Sequence, residues 1–102
     1  MKRKIKVEIP GAFIVDFCKR WKIKEFSLFG SVLHEGFGPK SDIDVLVSFH
    51  DDAPWGLYEF VDMKEELEEL LGRRVDIVEK EGLRNPFRRR EILRTREVIY
   101  AA

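Results

Sequence analysis

The sequence predicts an α+β fold, a small mixed β-sheet with helices mainly on one face. Short β-branched runs recur at 26–29, 42–49 and 75–79, segments with apolar residues at helical spacing stand between or before them, and Gly and Pro punctuate the joins. The chain has 102 residues, which suits a single domain over 1–102 with a modest core. Hydrophobic residues make up 44% and charged residues 37%, with no long apolar stretch, so a soluble cytoplasmic protein without a membrane span is expected. The basic start, Met1 to Lys4, precedes a segment too short and too charged for the apolar part of a secretion signal.

Residues 4–9 alternate Ile5, Val7 and Ile9 with charges, which predicts a short edge strand or an extended arm. Pro10 suits a helix start. Phe13, Ile14, Phe17, Cys18 and Trp21 then form an amphipathic stripe with Asp16, Lys19 and Arg20 outward. Cys18 reads as a small core hydrophobe; without a second cysteine there is no internal disulfide, and no close histidine pair offers zinc-ligand spacing. The run 26–29 reads as a strand stopped by Gly30, and 42–49 as a longer one. Between them 30–41 is a loop with at most a turn or two of helix after Ser31. After the polar breaker 50–54 a helix is expected over 57–71, with Leu57, Phe60, Val61, Leu67, Leu70 and Leu71 inward and Gly72 as its stop. A third strand follows at 75–79. Asn85-Pro86 is a cap-plus-Pro start for a helix to about Arg94, with Phe87, Ile92 and Leu93 inward, and 98–100 adds a short strand or an arm.

Residues two apart on a strand share a side, so Asp42 and Asp44 present two carboxylates together. Like charges repel unless a cation neutralises them, and hard oxygen ligands suit magnesium shared with phosphate oxygens. Asp76 is the candidate third carboxylate if its strand lies beside the second. Gly30 permits a tight turn and close backbone approach, and Ser31 offers a hydroxyl and an amide to an anion. A phosphate corner facing metal-binding carboxylates fits phosphoryl or nucleotidyl transfer.

Gly30-Ser31, ten residues, then Asp42-Ile43-Asp44 resembles the signature of the nucleotidyltransferase superfamily that includes DNA polymerase beta and kanamycin nucleotidyltransferase. The whole chain is similar to minimal nucleotidyltransferases: the Leu28 to Ser31 entry, Pro39 and Ser41 before the aspartates, the Glu-rich helix, the Gly72 to Asp76 return and the Arg-rich last helix all fit. The resemblance implies the polymerase beta-like palm fold, one or two Mg2+ ions on Asp42, Asp44 and Asp76, and triphosphate binding by Gly30 and Ser31, with Ser41 beside them. It assigns Asp76 a share in activating the acceptor hydroxyl. Many relatives carry arginine where this chain has His34; imidazole is a weaker phosphate clamp, though its pKa near neutrality suits a phosphate contact or acid–base role as well as a solvated loop. His50 reads as loop surface.

The lead expectation is Mg2+-dependent transfer of a nucleoside monophosphate, AMP from ATP, to a hydroxyl on another molecule. The chain shows no separate acceptor domain, so a partner is expected to supply the acceptor. The resemblance implies a small helical HEPN-domain toxin, with a tyrosine as acceptor and this chain as antitoxin. The rival reading is an inactive antitoxin or regulatory subunit that acts by protein binding, favoured by His34 and opposed by the three retained aspartates. Arg84, Arg88, Arg89, Arg90, Arg94 and Arg96 could face nucleic acid, but the balance of 19 basic and 19 acidic residues makes direct nucleic-acid binding the weakest reading. Arg73-Arg74 is less diagnostic still.

Overall fold

Strand alternation sets the architecture. Along β2 (Ile43–Phe49), Ile43, Val45 and Val47 are buried in one apolar cluster, whereas Leu46 belongs to a second cluster on the opposite face. Asp44 and Ser48 share that second face with Leu46. The computed structural model describes residues 9–34, 36–38 and 40–102. The strand expected at 4–9 falls outside them, apart from Ile9, which lies in no strand.

The sheet has the order β3-β2-β1-β4. β1 (Ile23–Phe29) is antiparallel to β2 and to β4 (Glu97–Ala101), so the tail is a strand; β3 (Val75–Glu79) runs parallel to β2. A parallel neighbour needs a crossover, and α2 (Leu57–Leu71) supplies it. Gly72 ends α2 in the left-handed conformation (φ 66°), as its position predicted, with its N–H donating to Glu68 O at 2.8 Å.

The larger core lies under α1 (Gly11–Arg20) and α2. Ile14, Phe17 and Cys18 from α1 and Met63 and Leu67 from α2 pack with Phe26, Leu28, Val45, Val47, Val75 and Ile77. Phe17 meets Phe26 edge-on, centroids 6.3 Å apart. Each fully buried side chain of this size contributes roughly 1.5–3 kcal/mol. Burial also pushes the Cys18 thiol up to about 12. Arg20 joins the helices through Glu66, which accepts from Trp21 Nε1 at 3.1 Å as well.

In α1 and α2, three apolar residues expected inside are exposed. Phe13 (61%), Leu57 (78%) and Val61 (47%) stand about a quarter-turn or more from the middle of their helices' buried faces, which centre on Ile14, Phe17 and Cys18 in α1 and on Met63 and Leu67 in α2. Met63, absent from the expected stripe, occupies the core instead.

α3 (Pro86–Thr95) covers the opposite face, so the placement of helices mainly on one face holds for two of the three. Ile92 and Leu83 pack on Phe29 and Leu46, with Val78 and Leu93 at the margin. Asn85 caps the helix as expected, its Oδ1 accepting from the N–H groups of Phe87 and Arg88 at 3.0 and 3.1 Å. Phe87 is 82% exposed rather than inward, because five residues of helix turn it far round from Ile92. At the far end Arg96 Nε donates to Glu25 Oε2 at 3.1 Å. Glu25 pairs with Ser48, so the C-terminus of α3 lies at the end of the sheet remote from Asp44. No helix among the described residues is long and apolar enough to cross a membrane.

Candidate active site

In the parallel register Asp44 stands directly beside Asp76, and in the antiparallel register beside Phe29, the residue before Gly30. Paired residues on neighbouring strands lie about 5 Å apart and point to one side, so the sheet itself brings these two carboxylates together on the α3 face. Asp44 is half-buried and Asp76 exposed. Burial raises the Asp44 carboxyl above the usual carboxylate range, and the charges of Asp76 and Asp42 raise it further, while Arg88 acts in the opposite direction.

Asp42 lies just before β2 and is exposed, with Oδ1 3.1 Å from Arg74 Nε. The backbone holds the same junction, Ile43 N–H donating to Arg74 O at 2.9 Å. Among the described residues, no three His, Cys, Asp or Glu side chains are gathered closely enough as they stand to enclose a metal ion. The donor chemistry nevertheless suits a hard divalent cation: an all-carboxylate set whose most buried member is already strained by its neighbours' charge. Asp42 would complete that set only on release from Arg74.

Gly30 begins a 3-10 turn, Gly30–Leu33, at φ 74°. A Cβ there would overlap Asp44 Oδ2 and lie 3.3 Å from Asp44 Cγ, so only glycine leaves the carboxylate its place. Ser31 follows, half-buried, its carbonyl accepting from His34 N–H at 2.9 Å. His34 closes the turn with an exposed side chain. Ser41 serves the loop: Oγ accepts from Gly38 N–H at 3.1 Å and its carbonyl accepts from Arg73 Nη2 at 3.1 Å. Gly30, Asp44 and Asp76 therefore converge, Asp42 stands at their margin, and neither the His34 imidazole nor the Ser41 hydroxyl is drawn into the group.

The arginines passed over in the sequence do more than their pattern suggested. Arg73 also donates to Gly38 O and lies over the Phe37 ring, 4.2 Å from guanidinium carbon to centroid. It thereby clamps the loop between Gly30 and the aspartates. The available signal was position: of two arginines immediately before the strand carrying Asp76, pairing of β3 with β2 brings Arg74 to Asp42 and Arg73 to the loop that precedes it. A surface depression of about 680 Å³ runs along acidic residues of α2 such as Asp62, Glu65 and Glu69, away from this site.

The nucleotidyltransferase domain model matches residues 12–99, a span that includes the Gly30-Ser31 turn and the strand-borne Asp44 and Asp76. The chain belongs to the nucleotidyltransferase domain family. Nucleotidyl transfer is accordingly its chemistry. Among similar proteins is the protein adenylyltransferase MntA of Thermococcus cleftensis, 37% identical over 82 residues, 80% of this chain and 78% of the relative. A solved structure assigned as a minimal nucleotidyltransferase is 34% identical and superposes with a TM-score of 0.71, covering 85% of this chain and 86% of that one. The complex of a tri-AMPylated Shewanella oneidensis HEPN toxin with its MNT antitoxin contains a chain of the same fold: TM-score 0.64 at 18% identity, over 90% of this chain and 70% of that one.

Proposed function

We propose that this nucleotidyltransferase moves AMP from ATP, with Mg2+, to a hydroxyl of a bound partner protein, a tyrosine of a HEPN-type toxin, and so acts as its antitoxin. The observation that carries this reading is the in-register pair Asp44 and Asp76 with Gly30 packed against Asp44. The family relative that adenylylates protein and the complex holding an AMPylated HEPN toxin support the choice of nucleotide and partner.

In this reading the Gly30 and Ser31 amides and the Ser31 hydroxyl hold the triphosphate, with His34 and Ser41 at the edge of that pocket. Asp42, Asp44 and Asp76 hold Mg2+, which when bound neutralises charge that builds on the phosphate oxygens. The acceptor oxygen forms a bond to the α-phosphorus as the bond from that phosphorus to the bridging oxygen breaks. Pyrophosphate leaves with the electron pair, and Asp76, the exposed carboxylate beside Asp44, takes the acceptor proton. Half-burial of Asp44 beneath Gly30 excludes water from one side of the reacting group.

A second reading, an antitoxin that acts by contact alone, is favoured by the Asp42–Arg74 ion pair, which occupies one of the carboxylates. The two separate in one experiment: the protein purified with its co-captured partner, incubated with α-phosphate-labelled ATP and Mg2+, beside an Asp42→Asn, Asp44→Asn control. Label on the partner that vanishes in the control is the expected result. No label, with partner capture unchanged in the control, overturns transfer and leaves the contact-only antitoxin.

A further inference from the structure

α3 presents an arginine to the carboxylates in a place where a helix gains nothing from it. Arg88 is the third residue of α3, and the first turn of that helix contains no acidic residue. A cation there opposes the positive end of the helix dipole, a position that favours Asp or Glu. Its guanidinium is exposed, and no described carboxylate is in ion-pair contact with it. Yet the fold aims it at the reaction centre. Ile92, one turn further on and on nearly the same side of the helix, packs against Phe29 and Leu46, which are the register partner of Asp44 and its same-face neighbour on β2. The Arg96–Glu25 contact fixes the other end of α3 at the remote end of the sheet. Arg88 therefore overhangs the end of the sheet that carries Asp44.

We infer that Arg88 binds the polyphosphate of the nucleotide, contributing from α3 the guanidinium that the loop after Ser31 lacks, and rests in this on the nucleotide-binding reading of the site. A phosphate oxygen placed between Arg88 and cation-loaded aspartates neutralises both charges. Its oxyanions also satisfy a fork of donors that nothing else in the described structure engages. Such a residue sacrifices local helix stability for the site, the kind of rule-breaking expected at a functional position.

The test is calorimetric titration of the full chain with Mg2+ and three probes: α,β-methylene ATP, inorganic pyrophosphate and AMP. In Arg88→Ala, affinity for the first two falls about tenfold or more and that for AMP changes by less than about twofold. Arg88→Lys recovers part of the loss, Arg90→Ala on the outer side of α3 recovers the wild-type values, and the melting temperature of Arg88→Ala stays level or rises. Wild-type binding of α,β-methylene ATP that Arg88→Ala leaves within about twofold overturns the inference alone. Loss of binding accompanied by a lower melting temperature and no recovery in Arg88→Lys also overturns it, marking a structural role. No binding of either phosphate probe by the wild type overturns the nucleotide reading itself, and the inference with it.

Discussion

The two faces of the sheet are built from the same strands and do opposite work. Beneath α1 and α2, β2 buries Ile43, Val45 and Val47 completely and Phe49 in part; on the α3 side the same strand shows Asp44, Leu46 and Ser48. The first face is closed by aromatic and aliphatic packing from two helices. The second is closed only at its middle, where Ile92 and Leu83 sit on Leu46 and Phe29, which leaves Asp44 half open and Asp76 exposed. Stability and chemistry are thus separated by the pleat of a strand, one residue apart.

Substitutions on the two faces should therefore fail differently. Phe17→Ala on the closed face is expected to cost about 3–5 kcal/mol, read as a lower urea midpoint with an unchanged slope. Asp44→Asn on the open face should lower transfer about a thousandfold, roughly 4 kcal/mol of barrier, and leave the midpoint level or higher because it removes a carboxylate crowded by its neighbours. An Asp44→Asn protein that unfolds as readily as Phe17→Ala would erase the distinction. Gly30→Ala sits where the two failures meet. Its left-handed φ costs about 1–2 kcal/mol with a Cβ, and that Cβ displaces the Asp44 carboxylate, so both midpoint and transfer rate should fall. Loss of stability with full activity would show that Asp44 tolerates being moved.

The smallest effect belongs to the closed face. Arg20 holds the Glu66 carboxyl below the usual carboxylate range through their hydrogen bond, with burial working against it. A depressed folded value means the stabilisation is present above the unfolded value of about 4.3 and is lost as pH falls through the folded one. Glu66→Gln should accordingly flatten the acid limb of a stability–pH curve by a fraction of a kcal/mol while leaving neutral-pH transfer unchanged. Urea midpoints across the acid range would read it; an unaltered limb would remove the α1–α2 ion pair from the stability of that face.

Much of this division was legible in the sequence. The alternation of β2, the helix stop at Gly72 and the Asn85-Pro86 start are local signals, and the structure bears them out. Asp42, Asp44 and Asp76 could be singled out because strand periodicity and short apolar runs fix which residues share a side. What stayed hidden depends on rotation and pairing. Leu57, Val61 and Phe87 have the composition of core residues, but the rotation of each helix about its own axis is set by what it packs on. Arg73, Arg74 and Arg88 look like solvated charge until strand pairing and the direction of α3 bring them to the loop, to Asp42 and to Asp44. No spacing rule within one segment contains that information.

The in-register pairing of β2 and β3 also acts as an inspection step during folding. Slipping β3 by one residue would turn Asp76 into the apolar cluster and push Val75 and Ile77 out of it, an error that costs a buried charge and two core side chains together. A chain that has closed its hydrophobic core has, by the same act, set its carboxylates side by side. Molecules with the wrong register would be the less stable ones, so a closed core and the Asp44–Asp76 pairing come together.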